Sequence, residues 1–242
     1  MSVLREVRST LRPPPQDRHG PLVPMMIALT VLTGLVDAVS YLELGRVFVA
    51  NMTGNVVFLG FALAGASGLS AVASLLALGS FLLGALAGGW LSNRHSEHRG
   101  RLLYAATVVQ GVLIALALVL CLLSREPLAE AARYELIVVL ALAMGVQNAA
   151  ALRLSVPELT TTVLTRTLTG LASQSRFVGG QGAQVGRRGL AVAAMLLGAL
   201  SGALLVLEAS VAAALVLALA LSLALTVAAR TLARSHAPWT RS

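Results

Sequence analysis

Apolar residues run almost unbroken through six stretches of the chain, at about 22–44, 69–91, 101–123, 134–154, 190–208 and 210–229. A bilayer core about 30 Å thick needs about 20 consecutive apolar residues in a helix, so each stretch predicts a transmembrane helix. Two further segments, 47–65 and 156–173, are shorter or more polar. Written as a helix, the second puts Thr162, Thr165, Arg166 and Thr169 on one face and Leu164, Leu168 and Leu171 on the other. Ser155 and Glu158 have the spacing of a capping box, which predicts that this helix starts near Val156. Before the first apolar run, Pro13, Pro14 and Pro15 interrupt an arginine-rich tail over 1–21.

The pattern occurs twice. Gly34-Leu35-Val36-Asp37-Ala38 aligns with Gly145-Val146-Gln147-Asn148-Ala149 at an offset of 111. Met52-Thr53-Gly54-Asn55 aligns with Leu164-Thr165-Arg166-Thr167 at 112, and Gly84-Ala85-Leu86-Ala87-Gly88 with Gly198-Ala199-Leu200-Ser201-Gly202 at 114. Three ordered matches at a nearly constant offset predict two repeats, 22–123 and 134–229, within one transmembrane domain over 22–229. Internal symmetry of this kind marks many transporter folds.

Charge sets the expected topology. Arginines concentrate in the tail, in the loop near 92–101, in 174–189 and in the C-terminal tail over 230–242, whereas the linker 124–135 balances Arg125 and Arg133 with Glu126, Glu130 and Glu135. Cytoplasmic loops carry the excess of basic residues, so both termini and both basic loops are expected in the cytoplasm. Three segments then separate two cytoplasmic stretches, and one of the three does not cross. The expectation is an all-α transmembrane fold with about six spanning helices, two short re-entrant or partial helices at 47–65 and 156–173, and two inverted-topology repeats. Eight spans in parallel repeats would place the 92–101 arginines outside.

Composition agrees. The chain is 57% hydrophobic with only 12% charged residues, whereas soluble domains carry about 25%. Its net charge of +8 comes entirely from arginine, with no lysine; in a membrane protein this marks loops, not nucleic acid. The single cysteine, Cys121, makes no intrachain disulfide.

The candidate chemistry sits where the apolar runs are interrupted. Asp37 lies two-thirds along the first span, and ionisable groups at such depth usually face a bundle interior or a watery cavity. Asp37 is read as a candidate proton or cation acceptor. Gln147 and Asn148, at the equivalent place in the second repeat, are neutral hydrogen-bonding groups expected opposite it. The plainer alternative is that these residues only hold helices together. Asn51, Thr53, Gly54 and Asn55 in one segment, and Thr161, Thr162 and Thr165 in the other, offer amides, hydroxyls and free backbone groups to line a cavity. Arg166 either binds an anion or reaches to the interface. Gly84 and Gly88, like Gly198 and Gly202, allow close helix approach and are read as internal packing. None of the four histidines falls in a span and no second carboxylate pairs with Asp37. Haem, metalloprotease and aspartyl-protease chemistry are therefore not expected, nor any cofactor, metal or enzymatic activity.

These residues carry a family resemblance. VDAVSYLELGRVFVANMTGN at 36–55, MGVQNAA at 144–150 and the threonine run at 160–169 resemble the YoaK family of bacterial polytopic membrane proteins of unassigned function. The resemblance covers nearly the whole chain beyond the tail and implies about six spans and small-molecule transport. It places Asp37, Asn51, Thr53, Gly54, Asn55, Gln147, Asn148, Thr161, Thr162 and Thr165 at signature positions. Arg166 departs from the pattern, where a small residue is usual. The expected function is a secondary transporter of a small polar or anionic solute, proton-coupled through Asp37. A passive channel and a non-transporting membrane scaffold are the alternatives. The expected partners are the lipid bilayer and a small solute.

Overall fold

The computed structural model describes residues 3–14, 17–124, 127–156, 164–174 and 185–240. Among them the chain is helical: α1 Val3–Leu11, α2 Leu22–Glu43, α3 Met52–Leu63, α4 Ala71–Arg94, α5 Arg99–Leu123, α6 Glu130–Leu154, α7 Leu164–Ser173, α8 Val185–Glu208, α9 Val211–Ala233 and a closing turn at Pro238–Thr240. Six helices, α2, α4, α5, α6, α8 and α9, are long and apolar enough to span a membrane, and α3 is a shorter apolar helix. After α1, one long helix, one short and two long follow each other, and then do so again. The short helices α3 and α7 contain Met52 and Leu164, the two positions that align at an offset of 112.

Local chemistry sets the helix ends. Ser70 and Ser210 cap α4 and α9 by accepting from the backbone N–H of Ala73 and Ala213, each at 3.1 Å. His98 caps α5 in the same way through Nδ1 and the Arg101 N–H at 3.2 Å. Pro24 is tolerated in the first turn of α2 because the N–H it lacks has no partner there. One expectation is corrected here. Ser155 does not start a helix at Val156; it ends α6 in the left-handed conformation, at φ 48° and ψ 43°. Its Oγ donates to the Leu152 carbonyl at 2.8 Å, so a local backbone contact takes the hydroxyl that a capping box would have used.

The helices pack through small residues. In a bilayer, lipid tails are as apolar as leucine, and close van der Waals approach replaces hydrophobic exclusion as the driving force. α2 lies along α8, α4 along α6 and α5 along α9. A Cβ at Gly198 would stand 2.0 Å from the Val31 carbonyl oxygen, and one at Gly84 would stand 2.2 Å from that of Leu142. Gly34 meets Met195, Gly198 and Ala199, while Gly145 meets Phe81, Gly84 and Ala85. Gly202 meets Leu35 and Ala38, while Gly88 meets Val146 and Ala149. Every contact of the α2–α8 set recurs in the α4–α6 set at offsets of 111 and 114. The glycine pairs therefore pack internally. Their order shows that α2 runs parallel to α8 and α4 parallel to α6. Gly100 against Leu232 and Gly111 against Ser222 show α5 antiparallel to α9.

α2 and α6 form the enclosed centre, with 72% and 67% of their apolar windows buried against 28–39% in the other four. The outer helices turn residues such as Leu82, Leu86, Trp90, Leu196 and Leu207 away from the protein. One end of the bundle gathers the start of α5, the end of α6 and both terminal segments. There the Arg99 guanidinium donates to the Leu154 carbonyl and lies 3.1 Å from His19 Nδ1, and it approaches the Arg18 and Trp239 carbonyls at 3.4 and 3.5 Å. The short Arg94-to-Arg99 link returns α4 to the end where α2 began, so α3, between two spans, does not cross.

Candidate functional site

The first interrupted segment is a return loop anchored on one carboxylate. After α2 the chain reverses through Gly45 and Arg46, both at positive φ (108° and 56°). Glycine adopts that conformation freely, and Arg46 is the strained partner. Residues 47–51 then run back beside α2, with Val47, Val49 and Ala50 buried. Asp37, 4% exposed, meets them seven residues before Leu44, roughly 10 Å down the helix at 1.5 Å per residue. Its Oδ1 accepts from the backbone N–H groups of Val49 at 2.9 Å and Ala50 at 2.8 Å, and its Oδ2 accepts from Asn51 Nδ2. Non-helical backbone at membrane depth requires such partners, and a carboxylate accepting N–H groups forms the stronger, charge-assisted kind.

Asn55 closes the loop from the other side. Fully buried, it accepts from the Phe48 N–H at 2.8 Å and donates to the Phe48 carbonyl at 2.6 Å, as a neighbouring strand would. Phe48 is thereby held against Tyr41 and Phe58, with ring centroids 5.1 and 5.8 Å away. Gly54 makes room for it, since a Cβ there would stand 2.7 Å from the Phe48 ring. Thr53 is exposed in the first turn of α3. Asp37, Asn51, Gly54 and Asn55 thus gather around the 47–51 loop, whereas Thr53 points away, and most of the hydrogen bonds of Asp37 and Asn55 go to the loop backbone.

Gln147 belongs to a different network. Buried at the centre, it donates through Nε2 to Thr33 Oγ1 at 2.8 Å and accepts from Gln110 Nε2, joining α6 to α2 and α5. Asn148 donates to the Met144 carbonyl at 2.9 Å on its own helix. The hydrogen bonds of Asp37 to Val49, Ala50 and Asn51 and those of Gln147 to Thr33 and Gln110 do not converge on one shared site. Thr33 and Gln110 were not singled out from the sequence, although Gln110 is the one amide within its apolar run.

Of the threonine segment, Thr161 and Thr162 lie outside the described residues. Thr165 is exposed on α7 and borders a cavity of about 320 Å³ with Arg166, Thr169, Gly170, Ser173, Gln174 and Arg188. Thr165, Arg166 and Thr169 share a face, as the helical spacing predicts. Arg188, counted from the sequence only as a topological charge, is 5% exposed and donates to Gln174 Oε1 at 2.9 Å. No group of three potential metal ligands occurs among the described residues.

Six apolar helices of spanning length, around buried polar networks and one short apolar helix, define a multi-pass α-helical membrane protein. Residues 25–228 match the family described as "Protein of unknown function (DUF1275)", and the chain belongs to that family. Over 150 residues it is 32% identical to the UPF0700 transmembrane protein YoaK of Bacillus subtilis (strain 168), a match covering 60% of this chain and 64% of that protein. The YoaK resemblance read from the motifs therefore holds. No solved structure matches the chain.

Proposed function

We propose that the protein is a secondary transporter of the bacterial cytoplasmic membrane, moving a small polar or anionic solute without chemical conversion. The observation that carries this reading is the reciprocal packing: the glycine contacts of α2 with α8 recur between α6 and α4. The equivalent helices α5 and α9 run antiparallel, which supports two inverted repeats, 22–123 and 134–229. Such repeats can rock against each other and alternate access to a site between them. The arginine distribution supports cytoplasmic termini.

Within this reading Asp37 is a proton-responsive latch. As an anion it holds the 47–51 loop by accepting three N–H groups. A proton on Oδ2 competes with the Asn51 contact and loosens the loop that separates α2 from α3. The specific observation favouring the scaffold alternative is the same one, because the Asp37 carboxylate is engaged within the fold.

Two experiments separate these readings. In a Cys121→Ser background, cysteines replacing Thr53 and Thr165 should react with a hydrophilic thiol reagent from opposite sides of the membrane. Cysteines replacing Glu97 and Ala131 should react from the cytoplasm and the outside. Reaction of Thr53→Cys and Thr165→Cys from one side removes the inverted arrangement. For transport, solutes that raise the thermal stability of the purified protein are tested for uptake into proteoliposomes under an imposed pH gradient. Uptake that equilibrates without accumulating indicates a channel, and no uptake of any stabilising solute leaves the scaffold.

A further inference from the structure

The cavity between α7 and Arg188 of α8 carries a chemistry that the family description leaves unassigned. Its lining residues bring two guanidinium groups (Arg166 and Arg188), three hydroxyls (Thr165, Thr169 and Ser173) and the Gln174 amide around about 320 Å³. No carboxylate is among the described lining residues. Thr165, Thr169 and Ser173 recur every four residues, so one face of α7 supplies the hydroxyl wall. Ser173 Oγ donates to the Thr169 carbonyl at 2.8 Å, so its own proton is committed within α7.

Arg188 forms the floor and is built in. It is 5% exposed, its Nη1 is fixed on Gln174, and its guanidinium lies against Gly170, where a Cβ would come within 2.7 Å of Cζ and Nη1. Glycine at 170 is therefore what lets the plane of Arg188 reach the cavity. Arg166 stands exposed at the rim. One buried and one exposed guanidinium, with the Thr165 and Thr169 hydroxyls beside them, suit the acceptor oxygens of a phosphate, which guanidinium groups recognise with paired N–H donors.

We infer that the α7–α8 cavity is a binding site for a phosphate group. That group comes either from a free phosphorylated solute or inorganic phosphate, or from the headgroup of an anionic phospholipid at the membrane surface. As a statement about cargo the inference rests on the transport reading; as a binding site it stands on the cavity itself.

The test uses the full chain in detergent and in nanodiscs. Inorganic phosphate is titrated calorimetrically into wild type, Arg166→Gln, Arg188→Gln and Arg187→Gln. Retention of phosphatidylglycerol against phosphatidylcholine is followed in parallel by native mass spectrometry. Arg166→Gln, an exposed change, should weaken binding about tenfold or more, the scale of one lost charge-assisted hydrogen bond. Arg188→Gln should do the same where it folds. Arg187→Gln, which removes equal charge from a residue outside the lining, should stay within about twofold. Saturable phosphate binding with this ranking assigns a free-solute site. Phosphatidylglycerol retention with this ranking and no phosphate heat assigns a headgroup site. Absence of both ligands, or binding that Arg166→Gln and Arg187→Gln weaken equally, overturns the inference. Phosphate binding without flux would remove the transport reading and leave the site. Flux of a solute that ignores the cavity variants would remove only the site.

Discussion

Where the first half turns from α2 toward α3, a carboxylate holds backbone N–H groups; where the second half leaves α6, a guanidinium holds a backbone carbonyl. Asp37 accepts from Val49 and Ala50 inside the bundle, fixing a loop that runs back along its own helix. Arg99 donates to the Leu154 carbonyl at the negative end of the α6 dipole, close to both terminal segments. The aligned residue of the second half, Asn148, donates to the Met144 carbonyl on its own helix. Both corners meet the same need, since polar backbone at a helix end requires a partner. They differ in depth. The first is sealed within protein, and the second lies at the bundle end beside both terminal segments and His19, so it is the corner open to pH.

The largest effect should come from unlatching the buried corner. Asp37→Leu leaves the Val49 and Ala50 N–H groups without an acceptor. Each orphaned amide costs roughly 1–3 kcal/mol, so the variant should lose about 3 kcal/mol or more of stability. Asp37→Asn should cost less, because its Oδ1 still accepts both amides while Asn51 turns its own oxygen toward the new Nδ2. Adding Asn51→Asp to Asp37→Asn restores one donor and one acceptor, and should recover part of the loss. Thermal and SDS unfolding measure all three. A loss in Asp37→Leu no larger than in Asp37→Asn would mean the latch does not hold the loop.

A smaller effect tests whether the halves pack alike. Gly84→Ala and Gly198→Ala each press a Cβ onto a backbone carbonyl, 2.2 and 2.0 Å away. Overpacking of this kind costs about 1–3 kcal/mol, and the two variants should match. Gly89→Ala, with nothing within 4 Å, should be neutral or stabilising by up to about 1 kcal/mol. Unequal losses at Gly84 and Gly198 would break the equivalence of the two helix pairs. Below these stands Gln147→Leu, at about 1 kcal/mol, since interhelical hydrogen bonds within membranes average about 0.6 kcal/mol. The double variant Gln147→Leu with Gln110→Leu should cost less than the sum of the singles. Strict additivity would dissolve that network.

The legible parts were those written as periodicity. Six long apolar runs became α2, α4, α5, α6, α8 and α9, and the repeat offsets of Gly34, Gly84 and Gly198 became mutual helix contacts. The polarity of 51–55 pointed to the neighbourhood of a break, but the non-helical backbone is at 44–51 and Met52–Asn55 already belong to α3. What the motif could not reveal was its partner. The acceptors and donors that engage Asp37 and Asn55 include backbone groups, which every residue carries and no letter advertises. For that reason Asp37 read as a candidate proton or cation acceptor without a visible partner. Ser155 misled for a related reason, because a serine at a helix boundary serves either helix end and only φ decides which. Arg188 was hidden in an Arg-Arg pair whose bulk meaning was topology, while its burial depends on Gly170 lying opposite.

The smallest predicted effect sharpens the difference in depth. His19 stands just before α2 and accepts from Arg99 through Nδ1 at 3.1 Å. Burial and the Arg99 guanidinium hold its imidazole below the usual 6.5, with Arg187 and Arg18 adding to that and Asp17 opposing it. A histidine whose folded value is depressed contributes fully above the unfolded value, and loses that contribution as pH falls through the lowered one. Acid therefore weakens the folded hub from about pH 6.5 downward, because protonated Nδ1 can no longer accept from Arg99. The group is only half-buried, so solvent screening keeps the effect small. Hydrogen exchange at 150–156, the end of α6 that Arg99 holds, should accelerate modestly between about pH 7.5 and 5.5 after correction for intrinsic rates. His19→Asn keeps an acceptor that does not titrate and should remove that acceleration, while exchange at Val49 and Ala50 stays the same in both proteins. Equal acceleration at 150–156 in wild type and variant would take the titration away from His19. It would also leave the outer corner no more responsive through that histidine than the buried one.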